Sequence, residues 1–376
     1  MFITYQELGK YKFEPYKPCP CESGIKYKFC CYLKSKNEKI NSNEYNSKRL
    51  YFESHKLFKD TDFKMCFGFV KEDCEHGYID AHSLQNNGVI DKIAEDNHVY
   101  YLDMNFDKKT MLPKLEFKKK GKNQASTFYG FCKHHDEIYF SNIEDKPYED
   151  LDEQNFWYAF RAHCFESHRK YRLKKSYSNL FKKFPSATQN LEILGSYRNN
   201  ELNLKDMELE YCRFKRVYEN KSFNEIESFV KVLPFKAGFT ATTAVAVNVD
   251  LNGNETINIY DYDEKLFVPS VYISVIPKND ETLLIVSRFK EDECYSGFLS
   301  ALKNNRDDDL LFSYISFCLA EYSENIYFSP KLIDSISNEE RNLITNAFLG
   351  FLSPTPEARL KNMISTFKLN LFKFTL

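Results

Sequence analysis

The chain has 376 residues, with 52 Lys+Arg against 54 Asp+Glu, so its formal net charge of −2 excludes a globally basic nucleic-acid binder and confines any such surface to a local patch. Charged residues make up 28% and hydrophobic ones 43%, a soluble composition, and no run of eighteen apolar residues offers a membrane span. The opening MFITYQELGKYKF lacks an apolar core of signal-peptide length, so the expected compartment is the cytoplasm, with reduced thiols. In that setting clustered cysteines bind metal more often than they form disulfides. Seven of the 11 cysteines precede residue 133 and all eight histidines precede residue 169, which assigns metal chemistry to the N-terminal half.

The first such cluster is PCPCESGIKYKFCCY, residues 18–32. Zn²⁺ takes four soft ligands in a tetrahedron, usually as two pairs held by tight turns. Cys19 and Cys21 form one pair, Cys30 and Cys31 the other, and Ser23-Gly24 lets the chain reverse between them. Lys26 and Lys28 can offset the excess negative charge of four thiolates. Residues 36–48 (KNEKINSNEYNSK) are polar and read as a linker or helix start.

A second cluster spans residues 66–140, among strand-like runs such as HVYYLDM and ASTFYGF. Cys66 and Cys74 are separated by seven residues, and Cys132 and His135 by two. A turn-held pair plus a pair at a helix start makes a Cys₃His tetrahedron of treble-clef type. His76, beside Cys74, could replace Cys66, and His134 could replace His135.

From about Leu151 the period changes. Phe156, Trp157, Phe160, Cys164 and His168 recur at three- and four-residue spacing, which predicts a long amphipathic helix ended by Pro185. A second helix is predicted over about 205–231. Residues 238–290 then read as strands: TATTAVAVNVDL and TINIYDY as a hairpin around Asn252-Gly253, followed by SVYISVIP and TLLIVSRF with a turn at 279–281. The stretch 295–375 is expected to be mostly helical, broken at Pro330 and at Pro354 and Pro356. No repeat, P-loop or Rossmann glycine pattern occurs.

Two resemblances emerge from the clusters. Cys19-Pro20-Cys21-Glu22-Ser23-Gly24 with Tyr27-Lys28-Phe29-Cys30-Cys31 resembles the SEC-C motif, a small zinc module also found at the C-terminus of the bacterial protein-export motor. The second region is similar to HNH endonucleases of the ββα-metal class. The resemblance implies His82, eight residues after Cys74, as general base; Asp136, directly after the zinc ligand His135, as a ligand of Mg²⁺ or Mn²⁺; and Thr127 as the residue orienting the active-site loop. Thr127 stands where that family has Asn, Asp136 where it has His, and fifty residues separate His82 from Cys132.

Basic residues adjoin this region in sequence. Lys118, Lys119 and Lys120 lie in KLEFKKKGK, and Arg169, Lys170, Arg172, Lys174 and Lys175 lie in RKYRLKKSYSNLFKK. Interleaved with Tyr and Phe, they suit a nucleic-acid backbone with nearby bases, while a solvated helix face explains them equally well.

The expectation is therefore a cytoplasmic α+β protein with two structural Zn²⁺ sites and no membrane segment. A SEC-C-like module occupies 1–35, a linker or helix 36–59, a treble-clef ββα-metal-like domain 60–148 and a helical segment with the basic helix 149–235. A C-terminal antiparallel sheet with helices, of unassigned role, takes 236–376. Its expected activity is HNH-like, metal-dependent cleavage of DNA or RNA, with an analogy to bacterial anti-phage or toxin-like proteins. The competing expectation is a non-catalytic zinc-stabilised adaptor that docks protein or nucleic acid, with the SEC-C-like module or the C-terminal half meeting the protein partner.

Overall fold

A computed structural model describes residues 11–37, 47–75, 77–107, 109–110, 113–259, 261–349 and 369–376. Helices α1 (Cys31–Asn37) and α2 (Ser47–Asp60) come first. Strands β1 (Ile79–His82), β2 (His98–Phe106), β3 (Pro113–Gly121) and β4 (Thr127–Phe131) lead into helix α3 (Lys133–Glu144). Two long helices follow, α4 (Asp152–Lys183) and α5 (Leu191–Asn220). Then come β5 (Ile226–Leu233), β6 (Phe239–Val245), β7 (Val271–Pro277) and β8 (Thr282–Phe289). The chain continues through α6 (Ser296–Asn304), α7 (Asp308–Tyr322), β9 (Ile326–Phe328), α8 (Pro330–Ser335) and α9 (Asn338–Phe348). The class is α+β, as expected. Among the described residues no helix is long and apolar enough to cross a membrane.

The chain divides into two compact units. The smaller takes Met1–Phe63, Asn105–Lys114 and Ser167–Lys205; the larger takes Lys64–Met104, Leu115–Glu166 and Asp206–Leu376. In the smaller unit, the N-terminal cysteine module packs on the helical hairpin made by the end of α4, the turn at Pro185–Gln189 and the start of α5. Tyr27 Oη donates to Thr188 Oγ1 at 3.2 Å, and the Cys31 thiol reaches the Phe181 carbonyl at 3.5 Å. Pro185 ends α4, as its missing N–H and fixed φ require.

In the larger unit a seven-stranded sheet runs in the order β3-β2-β9-β6-β7-β8-β5. Its central strands are buried on both faces, so they read as apolar runs rather than as alternation. The pleat still sorts them. Leu284 and Val286 of β8 join the core formed with α6, α7 and α9, while Leu283 and Ile285 face the opposite core, with Leu84, Ile90 and Val99. A second, two-stranded sheet pairs β1 with β4 antiparallel and feeds α3. Asn325 joins the two: its amide donates to Ser83 Oγ at 2.9 Å and to the Thr242 carbonyl at 3.0 Å. Tyr327 Oη accepts from the Ser126 N–H at 2.7 Å.

Three sequence expectations need correction. The helix expected to reach residue 231 ends at Asn220, beyond which Lys221 adopts φ 56, and residues 226–233, with β-branched Ile226, Val230 and Val232, pair instead with β8. The hairpin around Asn252-Gly253 keeps its turn, with Asp250 accepting the Asn252 and Asn254 N–H groups at 2.8 Å each, but among the described residues its second arm forms no strand. The arm meets the chain beyond β6 only at the isolated Val249–Glu255 bridge and the Thr256 N–H bond to the Asn248 carbonyl at 3.0 Å, too little for a ladder. Among the described residues, 295–349 are mostly helical apart from β9, and Pro330 opens α8 at a position where proline costs no hydrogen bond. The expected breaks at Pro354 and Pro356, and most of the 36–48 linker, lie outside the described residues.

Replacing Asn325 with Ala leaves the Ser83 hydroxyl and the Thr242 carbonyl without that donor inside the protein. The expected cost is about 2 kcal/mol, read as a lower urea midpoint for Asn325→Ala than for the natural chain.

Candidate metal centres and active site

In the smaller unit Cys19, Cys21, Cys30 and Cys31 are all buried, and their sulfurs lie within 4.8 Å of one another. The reversal rests on Glu22 and Gly24, with φ 58 and 76, and on the Cys19 N–H bonded to the Ile25 carbonyl at 2.9 Å. Cys21 and Cys30 sulfurs are 3.6 Å apart, close to the ~3.8 Å between two sulfurs on a tetrahedral zinc with bonds of about 2.3 Å. Burial pushes the Cys31 thiol far up, whereas for Cys21 hydrogen bonds from Ser23 and the three other thiols outweigh burial and bring it down to about 7.

The second cluster lies wholly in the larger unit. Cys66, Cys74, Cys132 and His135 place their ligand atoms within 4.8 Å of one another. The three sulfurs stand 3.5, 3.6 and 3.1 Å from His135 Nδ1, against ~3.6 Å for sulfur and nitrogen on one tetrahedral zinc. Residues 65–67 pair with β4 through the Met65 and Phe67 N–H groups, which positions Cys66. Cys132 caps α3, so Cys132 and His135 share the first turn of the helix. The Cys66 sulfur accepts the Gly68 and Cys132 N–H groups at 3.4 Å each, which disperses thiolate charge. Gly68 is obligatory: a Cβ there would lie 2.5 Å from three atoms of the His135 ring. Tyr211 Oη donates to the Phe67 and Gly68 carbonyls at 3.2 and 3.0 Å and clamps the turn. Of the two alternative ligands, His134 lies beside the centre but outside the four, and His76 lies outside the described residues. Both clusters have the donor set and spacing to hold zinc.

The three residues assigned by the HNH resemblance belong to the same β1–β4–α3 unit. His82 ends β1 and pairs across the ladder with Thr127, the first residue of β4. Asp136 sits on the first turn of α3. The Thr127 hydroxyl donates to the Gln124 carbonyl at 3.1 Å and so holds the turn that enters β4. His82 and Asp136 are half-buried, yet His82 Nε2 and Asp136 Oδ1 are buried atoms with no hydrogen-bond partner. Burial, helped by the Arg161 charge, holds the His82 imidazole below its ordinary value, hence neutral at pH 7. Burial pushes the Asp136 carboxyl up to about 6, although Arg161 favours its charged form.

Arg161 and Glu144 were not anticipated. Arg161 lies in the buried stripe of α4, pairs with Glu144 at the end of α3, and stacks over Phe140 with its guanidinium carbon 4.1 Å from the ring centre. The one available signal was an arginine directly after Phe160 in that apolar stripe. A cavity of about 10 Å³, room for about one water, borders Ser83, Gln85, Tyr158, Arg161 and Thr242.

The basic positions are more committed than their sequence suggests. Arg172 donates to the Phe58, Lys59 and Thr61 carbonyls and closes the end of α2. Lys175 pairs with Glu22 at 2.6 Å and Lys118 with Asp103 at 2.5 Å. Lys119 lies 3.8 Å from Asp334, and Lys120 lies over the Tyr101 ring. Arg169 and Lys170 are half-buried, and Lys174 is exposed.

Comparison of the chain with family models, curated proteins and solved structures returns no match.

Metal analysis is expected to return about two zincs per chain for the natural protein and about one for Gly68→Ala. Because each bound thiolate must shed a proton, zinc retention should fall as the pH is lowered from 7 to 4, followed with a chromogenic chelator.

Proposed function

We propose that the β1–β4–α3 unit is a metal-dependent nuclease of HNH type acting on nucleic-acid phosphodiester bonds. The observation that carries the reading is the pair of unpartnered buried atoms, His82 Nε2 and Asp136 Oδ1, on a ββα unit with its own Cys₃His cluster. Buried polar atoms without protein partners mark places where an ion, water or substrate completes the set.

In this reading the Cys66, Cys74, Cys132 and His135 cluster holds zinc as a structural clamp, fixing the start of α3 relative to β4. His82 Nε2 takes the proton from the attacking water, and its neutral state suits that role. Asp136 would hold Mg²⁺ or Mn²⁺ against the scissile phosphate; such an ion, when bound, supplies charge neutralisation at the phosphate. Thr127 keeps the turn at Gln124 in place beside His82.

A second reading has its own support. The Arg161 guanidinium pairs with Glu144 and already acts on Asp136 through its positive charge. On that basis the unit is a zinc-stabilised scaffold without catalysis.

Plasmid and RNA incubated with the natural chain and Mg²⁺ or Mn²⁺ should be cut, and His82→Ala should slow cutting about 100-fold or more at unchanged zinc content. Equal inertness of the natural chain, His82→Ala and Arg161→Ala across divalent ions would establish the scaffold reading instead.

A further inference from the structure

The N-terminal zinc module turns one surface into the hairpin of α4 and α5 and leaves another in solvent. Tyr27, the four cysteines and Cys31's partner Phe181 form the inward side. Outward stand Tyr16 and Phe29, exposed by 60% and 57%, with Ile25 and Leu33 at 50% each. Among the described residues the exposed aromatic side chains are Tyr16, Phe29, Phe52 and Tyr78, and packing gives no reason for two of them to stand on one small module. They are contiguous. The Lys28 N–H bonds to the Pro15 carbonyl at 2.8 Å and the Tyr27 N–H to the Lys17 carbonyl at 3.0 Å, so segments 15–19 and 25–28 run side by side. The Lys28 ammonium donates to Tyr16 Oη at 3.0 Å, at the hydroxyl end of the ring, and lies 5.9 Å from the Phe29 ring centre.

The charge of the surface selects among occupants. Between residues 11 and 36 stand Lys12, Lys17, Lys26, Lys28, Lys34 and Lys36 against Glu14 and Glu22, and Glu22 is paired with Lys175. Even with a buried four-thiolate zinc of net charge −2, the module stays positive. A purely apolar partner would leave those ammonium groups facing it unpaired. A nucleic-acid duplex hides the faces of its bases and could use only the lysines. An unpaired strand offers phosphates to the lysines and bases able to stack on Tyr16 and Phe29.

We infer that the exposed Tyr16–Lys28–Phe29 face of the N-terminal zinc module binds single-stranded nucleic acid, phosphates on the lysines and bases on the two rings. This assignment stands on its own, independent of the nuclease reading. Zinc has a part in it, because the turn between the cysteine pairs brings Tyr16 beside Lys28. The surface discriminates strand state rather than sequence, since any base has a face to stack.

The test is fluorescence anisotropy of the full chain with labelled oligo-dT and oligo-U twenty-mers and a duplex of equal length, without added divalent ions, from 50 to 200 mM salt. The natural chain should bind both single strands more tightly than the duplex. Tyr16→Ala with Phe29→Ala should weaken single-strand binding about tenfold or more. Lys26→Glu with Lys28→Glu should flatten the dependence of log K on log salt by about 1.4. Zinc analysis of each variant shows that the module is still folded. Zinc-loaded variants that bind as well as the natural chain, a duplex bound as tightly as the single strands, or a natural chain that ignores oligonucleotides and binds an acidic peptide would each overturn the assignment.

Discussion

Three sulfurs converge on one ring nitrogen, His135 Nδ1, and the organisation of the larger unit follows from that point. Cys66 and Cys132 are far apart in the chain, and each brings a backbone segment with it: residues 65–67 along β4, and the first turn of α3. Once these are tied, β4 has one direction in which to leave the centre, β1 pairs with it, and the β1–β4 register sets His82 opposite Thr127. The tolerance is small. A glycine must sit under the imidazole, and the turn around it is held by tyrosines from α3 and α5 through Phe69 and Gly68. A metal-sized contact thus governs the orientation of a helix and two strands.

Burial and charge act against each other next to this centre. A guanidinium within an apolar helix stripe loses its water and must be repaid by a carboxylate, and Glu144 does so for Arg161. The two charges reach His82 and Asp136 in opposite senses: Arg161 favours neutral imidazole and ionised carboxylate, Glu144 opposes it at both, and burial prevails at Asp136. Burial is the larger influence on both candidate catalytic groups, and a helix that the ββα pattern does not contain modulates it.

Much of this was legible in the residues, for identifiable reasons. Metal ligands announce themselves because soft donors at turn spacing are rare, and both tetrads assemble as their spacing implies. The long helix to Lys183 was readable because Phe156, Trp157 and Phe160 repeat with its period and Pro185 stops it. Strand β5 was missed because Lys231 and Glu227 interrupt its apolar residues, and β9 because three residues carry no period; partners distant in the chain decide both. Arg161 and Glu144 were invisible for a related reason: an ion pair between two helices leaves no local pattern. Within the basic runs, the part Arg172 plays in closing a neighbouring helix was equally invisible, because it is a contact to distant backbone carbonyls.

The order of the sheet has a consequence for the chain as it leaves the ribosome. β2 meets its neighbour β9 at Tyr100 and Phe328, so more than two hundred residues must be made after one partner before the other exists. At typical elongation rates that leaves a hydrogen-bonding edge open for roughly 10–45 s. The Cys₃His ligands, by contrast, are all present once His135 is made, long before β9 is synthesised. β3, beside β2, carries Lys118, Lys119 and Lys120, and repulsion between such rows discourages two unfinished chains from zipping together. The lysine run thereby acquires a use during biosynthesis that the finished fold would not suggest.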